Sequence, residues 1–248
     1  MTINKALGAE QKEDLMIKFN FNDGNGLVPA HQHSNGGGWV ADTATVSESC
    51  YIGPDARVSD NARVYGNAQV SDNAQVYGNA VVAGNAVVAG NAQVSDNARV
   101  AGNAQVSDNA EVYGNARVYG DAEVYGNARV AGDARVYGDA KVTGNARVYG
   151  DARVYGDAQV TGNAVVAGDA EVTITPYTAN RSDDYTFTIF DCADGNIRIT
   201  AGCRYHTKEE AINHWTKTRG GTLLGDESLD IVEYLFKMHE RRKATLSQ

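Results

Sequence analysis

An aliphatic residue returns at every sixth position from Val40 to Val172, twenty-three times in succession without a slip. Two positions earlier stands a small residue, Ala44, Cys50, Ala56, Ala62 and so on to Ala170. The unit therefore reads Asn/Asp-Ala-x-Val-x-Gly/Asp, as in Asn115-Ala116-Arg117-Val118-Tyr119-Gly120. A helix turns once in 3.6 residues and would scatter these valines around its circumference. A short strand keeps them together, with residues i−2 and i facing one way and i−1 and i+1 the other. The Gly-Asn, Gly-Asp or Asp-Asn pair that follows tolerates positive φ, so the chain turns a corner after each strand. Tandem periods this short mark solenoids.

Over residues 40 to 173 this pattern closely resembles the hexapeptide-repeat left-handed β-helix of bacterial transferases, in which three hexads make one triangular coil. The resemblance implies a mainly β fold: a left-handed parallel β-helix of seven to eight coils, about 35 Å long at one strand spacing per coil. Composition agrees with a thin core. Apolar residues make up 42% of the chain, mostly Ala and Val, and only five Phe and two Trp stand against 27 Gly.

With three hexads per coil, residues 18 apart stack in columns. The first face presents Arg63, Val81, Arg99, Arg117, Arg135 and Arg153 beside Tyr65, Ala83, Ala101, Tyr119, Tyr137 and Tyr155. The second presents Gln75, Gln93, Glu111, Arg129, Arg147 and Val165 beside Tyr77, Ser95, Tyr113, Ala131, Tyr149 and Ala167. The third carries Gln69, Val87, Gln105, Glu123, Lys141 and Gln159 beside mostly small residues. Arg and Tyr are enriched at interface hot spots. The candidate binding residues are accordingly Arg99, Arg117, Arg135, Arg153, Tyr119, Tyr137 and Tyr155. One corner is an unbroken asparagine column from Asn73 to Asn163, whose amides can bond along the stack. The other two change to Asp121, Asp139, Asp157 and Asp133, Asp151, Asp169, where like charges repel. The plainer reading of the arginine ladder is charge balance against these corners, each exposed pair contributing roughly 0 to 1 kcal/mol.

A solenoid must cover its terminal strands. Residues 1–39 read as a lead-in and cap, 40–173 as the β-helix, and 174–248 as a small C-terminal α+β domain. The lead-in carries an alternating strand over residues 15–22, a turn at Asp23-Gly24-Asn25-Gly26, and Trp39 to cover the open end. The C-terminal segment predicts a hairpin of Tyr185–Asp191 and Ile197–Tyr205 around Asp194-Gly195. A helix follows, started by a Thr207/Glu210 capping box and ended by Gly220-Gly221. A second begins near Asp226 with an apolar stripe of Ile231, Val232, Leu235 and Phe236.

The chemistry-bearing inventory is sparse. The related acyltransferases use a general-base histidine, yet no histidine lies between His33 and His206. The same gap disfavours the histidine-ligated zinc of γ-class carbonic anhydrases. His31 and His33, at i and i+2, would share a strand face and supply at most two ligands, so no metal and no cofactor are expected. Cys50 falls in an inward small-residue slot, and Cys192 and Cys203 do not oppose each other across the expected hairpin. The formal charge of −9 disfavours nonspecific nucleic-acid binding. No apolar run is long enough to span a bilayer. The opening MTINKALGAEQKEDLMIKF lacks a leader's apolar segment, and three scattered cysteines suit a reducing cytoplasm.

The order of a Gly-Gly-Trp-Val lead-in, long Asn-Ala-x-Val-x-Gly repeats and a tail containing Ile199-Thr200-Ala201-Gly202-Cys203-Arg204-Tyr205-His206-Thr207 resembles hexapeptide-repeat proteins of phages and prophages. These are named transferases from the repeat alone, and fold does not give function. The resulting expectation is a non-catalytic binding or scaffold protein, a cytoplasmic homotrimer presenting its Arg/Tyr ladders or its C-terminal domain to a host protein or a nucleotide. The alternatives are an acyltransferase using His31 or His206 between subunits, and a virion or tail component.

Overall fold

The computed structural model describes residues 17–246. Leu15 and Met16 of the expected first strand, and most of the stretch read for a leader, lie outside the described residues. Each hexad forms one strand, from β3 (Trp39–Ala41) to β25 (Ala170–Val172), most only two residues long. Strands 18 residues apart pair in parallel, Arg99 opposite Arg117 and Val100 opposite Val118. The chain thus winds as a three-sided parallel β-solenoid whose shortest stack, on the third face, holds seven strands. The hydrogen-bond pattern repeats with it: Arg99 donates to the Ala116 carbonyl at 2.9 Å and Ala101 to that of Val118 at 2.9 Å. Inside, the Ala and Val columns from Ala56 to Val160 are fully buried and form one continuous core.

The corners have their own chemistry. Gly84, at φ +72°, occupies the left-handed region that turns the chain, and Asp96 occupies it at φ +57°. A Cβ is tolerated at the aspartate corners because the carboxylate gains a bond. Asp60, Asp72, Asp96 and Asp108 accept the backbone N–H of Gly78, Gly90, Gly114 and Gly126 one coil on, at 2.9 to 3.0 Å. In the asparagine column each Nδ2 donates to the next Oδ1, from Asn73 through Asn91, Asn109, Asn127 and Asn145 to Asn163, at 2.9 to 3.2 Å. The other two ladders run Asn103 to Asp121 and Asn115 to Asp133. There the chain of amides stops, because a carboxylate has no proton to pass on.

The hairpin of β1 (Lys18–Asn20) and β2 (Leu27–Gln32) adds antiparallel to β3 on the second face. Trp39 does not cover the open end. It precedes Val40 and so points outward, where it stacks on Phe19 at 4.4 Å, beside a small core of Phe21, Ala30 and Ala41.

At the other end, β25 continues antiparallel into β27 (Thr186–Cys192), which pairs with β26 (Tyr177–Asn180) and β28 (Ile197–Ala201). The strand expected over Ile197–Tyr205 is split at Gly202 (φ +61°), after which β29 (Arg204–His206) folds back on β28. Alternation along β27 serves two cores. Phe190 and Cys192 join the solenoid core, while Phe187 and Ile189 join a second core with Trp215, Val232, Leu235 and Phe236. The helices are α1 (Lys208–Arg219), with the expected capping box, and α2 (Leu223–Leu246). The latter starts three residues earlier than Asp226.

Candidate functional site

On the first face the expected columns form in register, Arg99, Arg117, Arg135 and Arg153 on adjacent rungs. Each precedes a sealed valine and so projects outward. Tyr119, Tyr137 and Tyr155 stack at 4.9 Å between ring centroids and 1° between planes. Burial pushes the Tyr137 phenol up, and its two stacked neighbours add to the shift. Rings one rung apart leave no room for another planar group, so this ladder offers a continuous rim and not a slot.

The arginines differ in their company. Arg153 pairs with Glu171 one rung on at 3.0 Å, as Arg129 pairs with Glu111 at 3.2 Å and Lys141 with Glu123 at 3.0 Å on the other faces. Among the described residues, Arg99, Arg117 and Arg135 have no carboxylate at ion-pair distance. Nor do Asp121, Asp133, Asp139, Asp151 and Asp157 contact an arginine, so any balance between corner and ladder acts through space. At one rung's separation two like charges in water repel by roughly 1 kcal/mol before salt screening. Arg99, Arg117 and Arg135 are therefore a row of cations held on adjacent rungs by the backbone, with no carboxylate paired to them among the described residues.

The second face is corrugated. Tyr77, Ser95, Tyr113, Ala131, Tyr149 and Ala167 alternate large and small on successive rungs, with Ser95 and Ala131 buried between their neighbours. A cavity of about 270 Å³ lies over Ala131, lined by Tyr113, Tyr149, Arg129, Arg147, Gly202 and Cys203. In the sequence this column shows itself only as a tyrosine returning every 36 residues with a small residue midway, beside the stronger arginine and tyrosine ladders of the first face.

The two ends hold the remaining titratable groups. Asp42 accepts from His31 Nδ1 at 2.8 Å, while the buried His33 Nδ1 accepts the Asn35 N–H at 3.2 Å, so the two imidazoles serve separate local bonds. Where the solenoid meets β27, Cys192 Sγ lies 3.1 Å from the Tyr205 hydroxyl, which donates to Asp169. Arg198 lies 3.6 Å from Asp169 and also pairs with Asp194. Burial pushes both the Cys192 thiol and the Tyr205 phenol up, so these two groups keep their protons, and their bonds join the solenoid to its cap. Burial lowers His206 and His214. His31 and His206 stand at opposite ends of the chain's solenoid. All three cysteines are free thiols, Cys50 and Cys192 buried and Cys203 exposed. Among the described residues no group of three His, Cys, Asp or Glu could hold a metal ion, and no helix is long and apolar enough to cross a membrane.

Stacked parallel coils, sealed Ala/Val columns and in-register exterior ladders define a repeat β-helix protein. The family model for the YdcK β-solenoid repeat matches the chain at residues 56–72, 74–90, 92–108, 104–120, 122–138 and 146–161, all within the solenoid. No curated protein matches the chain.

Proposed function

We propose that this chain is a non-catalytic binding scaffold whose first face docks an acidic surface of a partner protein. The observation behind the reading is the column Arg99, Arg117 and Arg135, in register and without carboxylate partners. A partner carrying carboxylates at a similar spacing gains charge-assisted bonds and relieves repulsion already stored along the column. The rim of Tyr119, Tyr137 and Tyr155 beside it is rigid, so little side-chain entropy is lost on docking. The resemblance to phage and prophage proteins favours a host protein in the cytoplasm as that partner, with the chain acting as an inhibitor or sequestering agent. A homotrimer formed through another flat face leaves this column open.

Affinity capture from host extract with the wild-type chain and an Arg117→Glu/Arg135→Glu variant tests the reading. The expected result is one acidic protein retained by wild type, released by raised salt and absent with the variant. Equal retention by both removes the first face from the interaction. Sedimentation equilibrium of both proteins reads the trimer separately.

A further inference from the structure

On the first face tyrosines on adjacent rungs stack 4.9 Å apart. On the second face Tyr113 and Tyr149 belong to the same kind of outward column but are two rungs apart, about 9.6 Å by strand spacing. Ala131 holds the rung between them and is 8% exposed. The gap matches one missing ring: a planar group over Ala131 meets a tyrosine on each side at the spacing the other ladder uses, within the range aromatic pairs prefer.

The surroundings select the rest of the ligand. Arg129 and Arg147 line the cavity on the adjoining column, one rung apart. Arg129 shares its charge with Glu111, whereas Arg147 faces Val165 on the next rung and has no carboxylate partner among the described residues. Gly202 and Cys203, at the turn between β28 and β29, supply an end wall. Burial, with Cys203 alongside, pushes the Tyr149 phenol up, keeping the hydroxyl neutral. A second gap over Ser95, between Tyr77 and Tyr113, differs in both respects. Gln93 reaches into it and accepts a hydrogen bond from Tyr77 at 3.2 Å, and Glu111 and Asp96 give it the opposite charge.

We infer that the Ala131 gap is a binding site for a small planar aromatic anion, a single ring bearing a phosphate or carboxylate, with the ring between Tyr113 and Tyr149 and the anion on Arg147. At about 270 Å³ the cavity lies just under the usual range for drug-sized ligands and admits one ring and its charged group. The site lies on a different face from the arginine column and does not rest on the protein-docking reading.

Phenyl phosphate serves as probe, with cyclohexyl phosphate as its non-planar counterpart, in calorimetric titration of the full chain. Expected are one phenyl phosphate per chain and at least tenfold weaker binding of cyclohexyl phosphate. Arg147→Gln weakens phenyl phosphate at least tenfold. Ala131→Tyr supplies the missing rung and abolishes binding, while its thermal midpoint stays at or above wild type. Ser95→Tyr, which fills the other gap, leaves binding unchanged. A second readout is Cys203 alkylation, slowed by phenyl phosphate in wild type and not in Ala131→Tyr, with buried Cys50 and Cys192 as internal controls. Absent binding at millimolar probe, equal affinity for the two phosphates, full binding by Ala131→Tyr, or loss in Ser95→Tyr would each overturn the assignment.

Discussion

Replacing one corner glycine separates two costs that the fold imposes on every coil. At Gly162, φ is +64° and an added Cβ meets nothing within 4 Å. Alanine there bears only the left-handed backbone penalty, about 1 to 2 kcal/mol. At Gly84, φ is +72° and the Cβ would lie 2.9 Å from the Gly102 carbonyl oxygen and 3.1 Å from its nitrogen. The next coil must then give way, adding on the order of 1 to 2 kcal/mol as in overpacked cores. Gly84→Ala is expected to lose about 3 kcal/mol and Gly162→Ala about 1 kcal/mol. Gly84→Asp is expected to lose less than Gly84→Ala despite its larger side chain. Its carboxylate can accept the Gly102 N–H, as Asp60 accepts that of Gly78 at 2.9 Å, and bonds to charged groups contribute about 1.5 to 3 kcal/mol. Guanidinium unfolding of the three variants, followed by far-ultraviolet circular dichroism with slopes compared to wild type, gives the order. Equal losses at Gly84→Ala and Gly162→Ala, or a larger loss for Gly84→Asp than for Gly84→Ala, would refute close stacking of the corners as the cause.

Asn127→Ala removes the bonds to Asn109 and Asn145 and should cost about 1 kcal/mol, read by the same unfolding curves. Asp191→Asn should flatten the acid limb of stability. Burial alone would raise this carboxyl, but the Lys243 ammonium at 2.7 Å and the His239 imidazole at 3.1 Å hold it down at about 2, against 3.8 ordinarily. The folded state therefore gains about 2 kcal/mol above pH 4 that disappears as pH falls through 2, and denaturant titrations from pH 5 to 2 should show that loss in wild type only. Deleting residues 177–246 uncovers the last strand of the first face and should turn a defined species into concentration-dependent aggregates in sedimentation velocity. Arg153→Gln breaks an exposed pair with Glu171 and should shift stability by less than about 1 kcal/mol.

The solenoid was legible because its constraint is strictly periodic. A valine that must be buried every six residues fixes which neighbours point out, and 18-residue stacking then fixes who touches whom, down to Tyr119 on Tyr137 and Asn109 on Asn127. The ends were less legible because nothing repeats there. Trp39 read as a lid, but its place one residue before Val40 turns it to the outer face. The split at Gly202 depends on a single glycine in a run that otherwise alternates as one strand. Strand β26 was missed, since Tyr177–Asn180 carries no strong pattern and is ordered by pairing with β27. Within the candidate site, the column members were all readable, whereas their electrostatics were not. Whether an arginine finds a glutamate depends on what stands one rung away, and Arg153 alone of its column does.

Stacking by eighteen also sets a phase for everything beyond the repeats. Gain or loss of a whole coil slides the C-terminal cap along the axis and returns it to the same side, with each ladder merely longer or shorter by one member. An insertion or deletion of a single hexad would keep every valine inside, yet swing the cap a third of a turn and splice members of another column, such as Gln105, Glu123 and Lys141, into the arginine row. Selection acting on the exterior ladders should therefore remove or add repeats in threes, a rule the interior by itself does not impose.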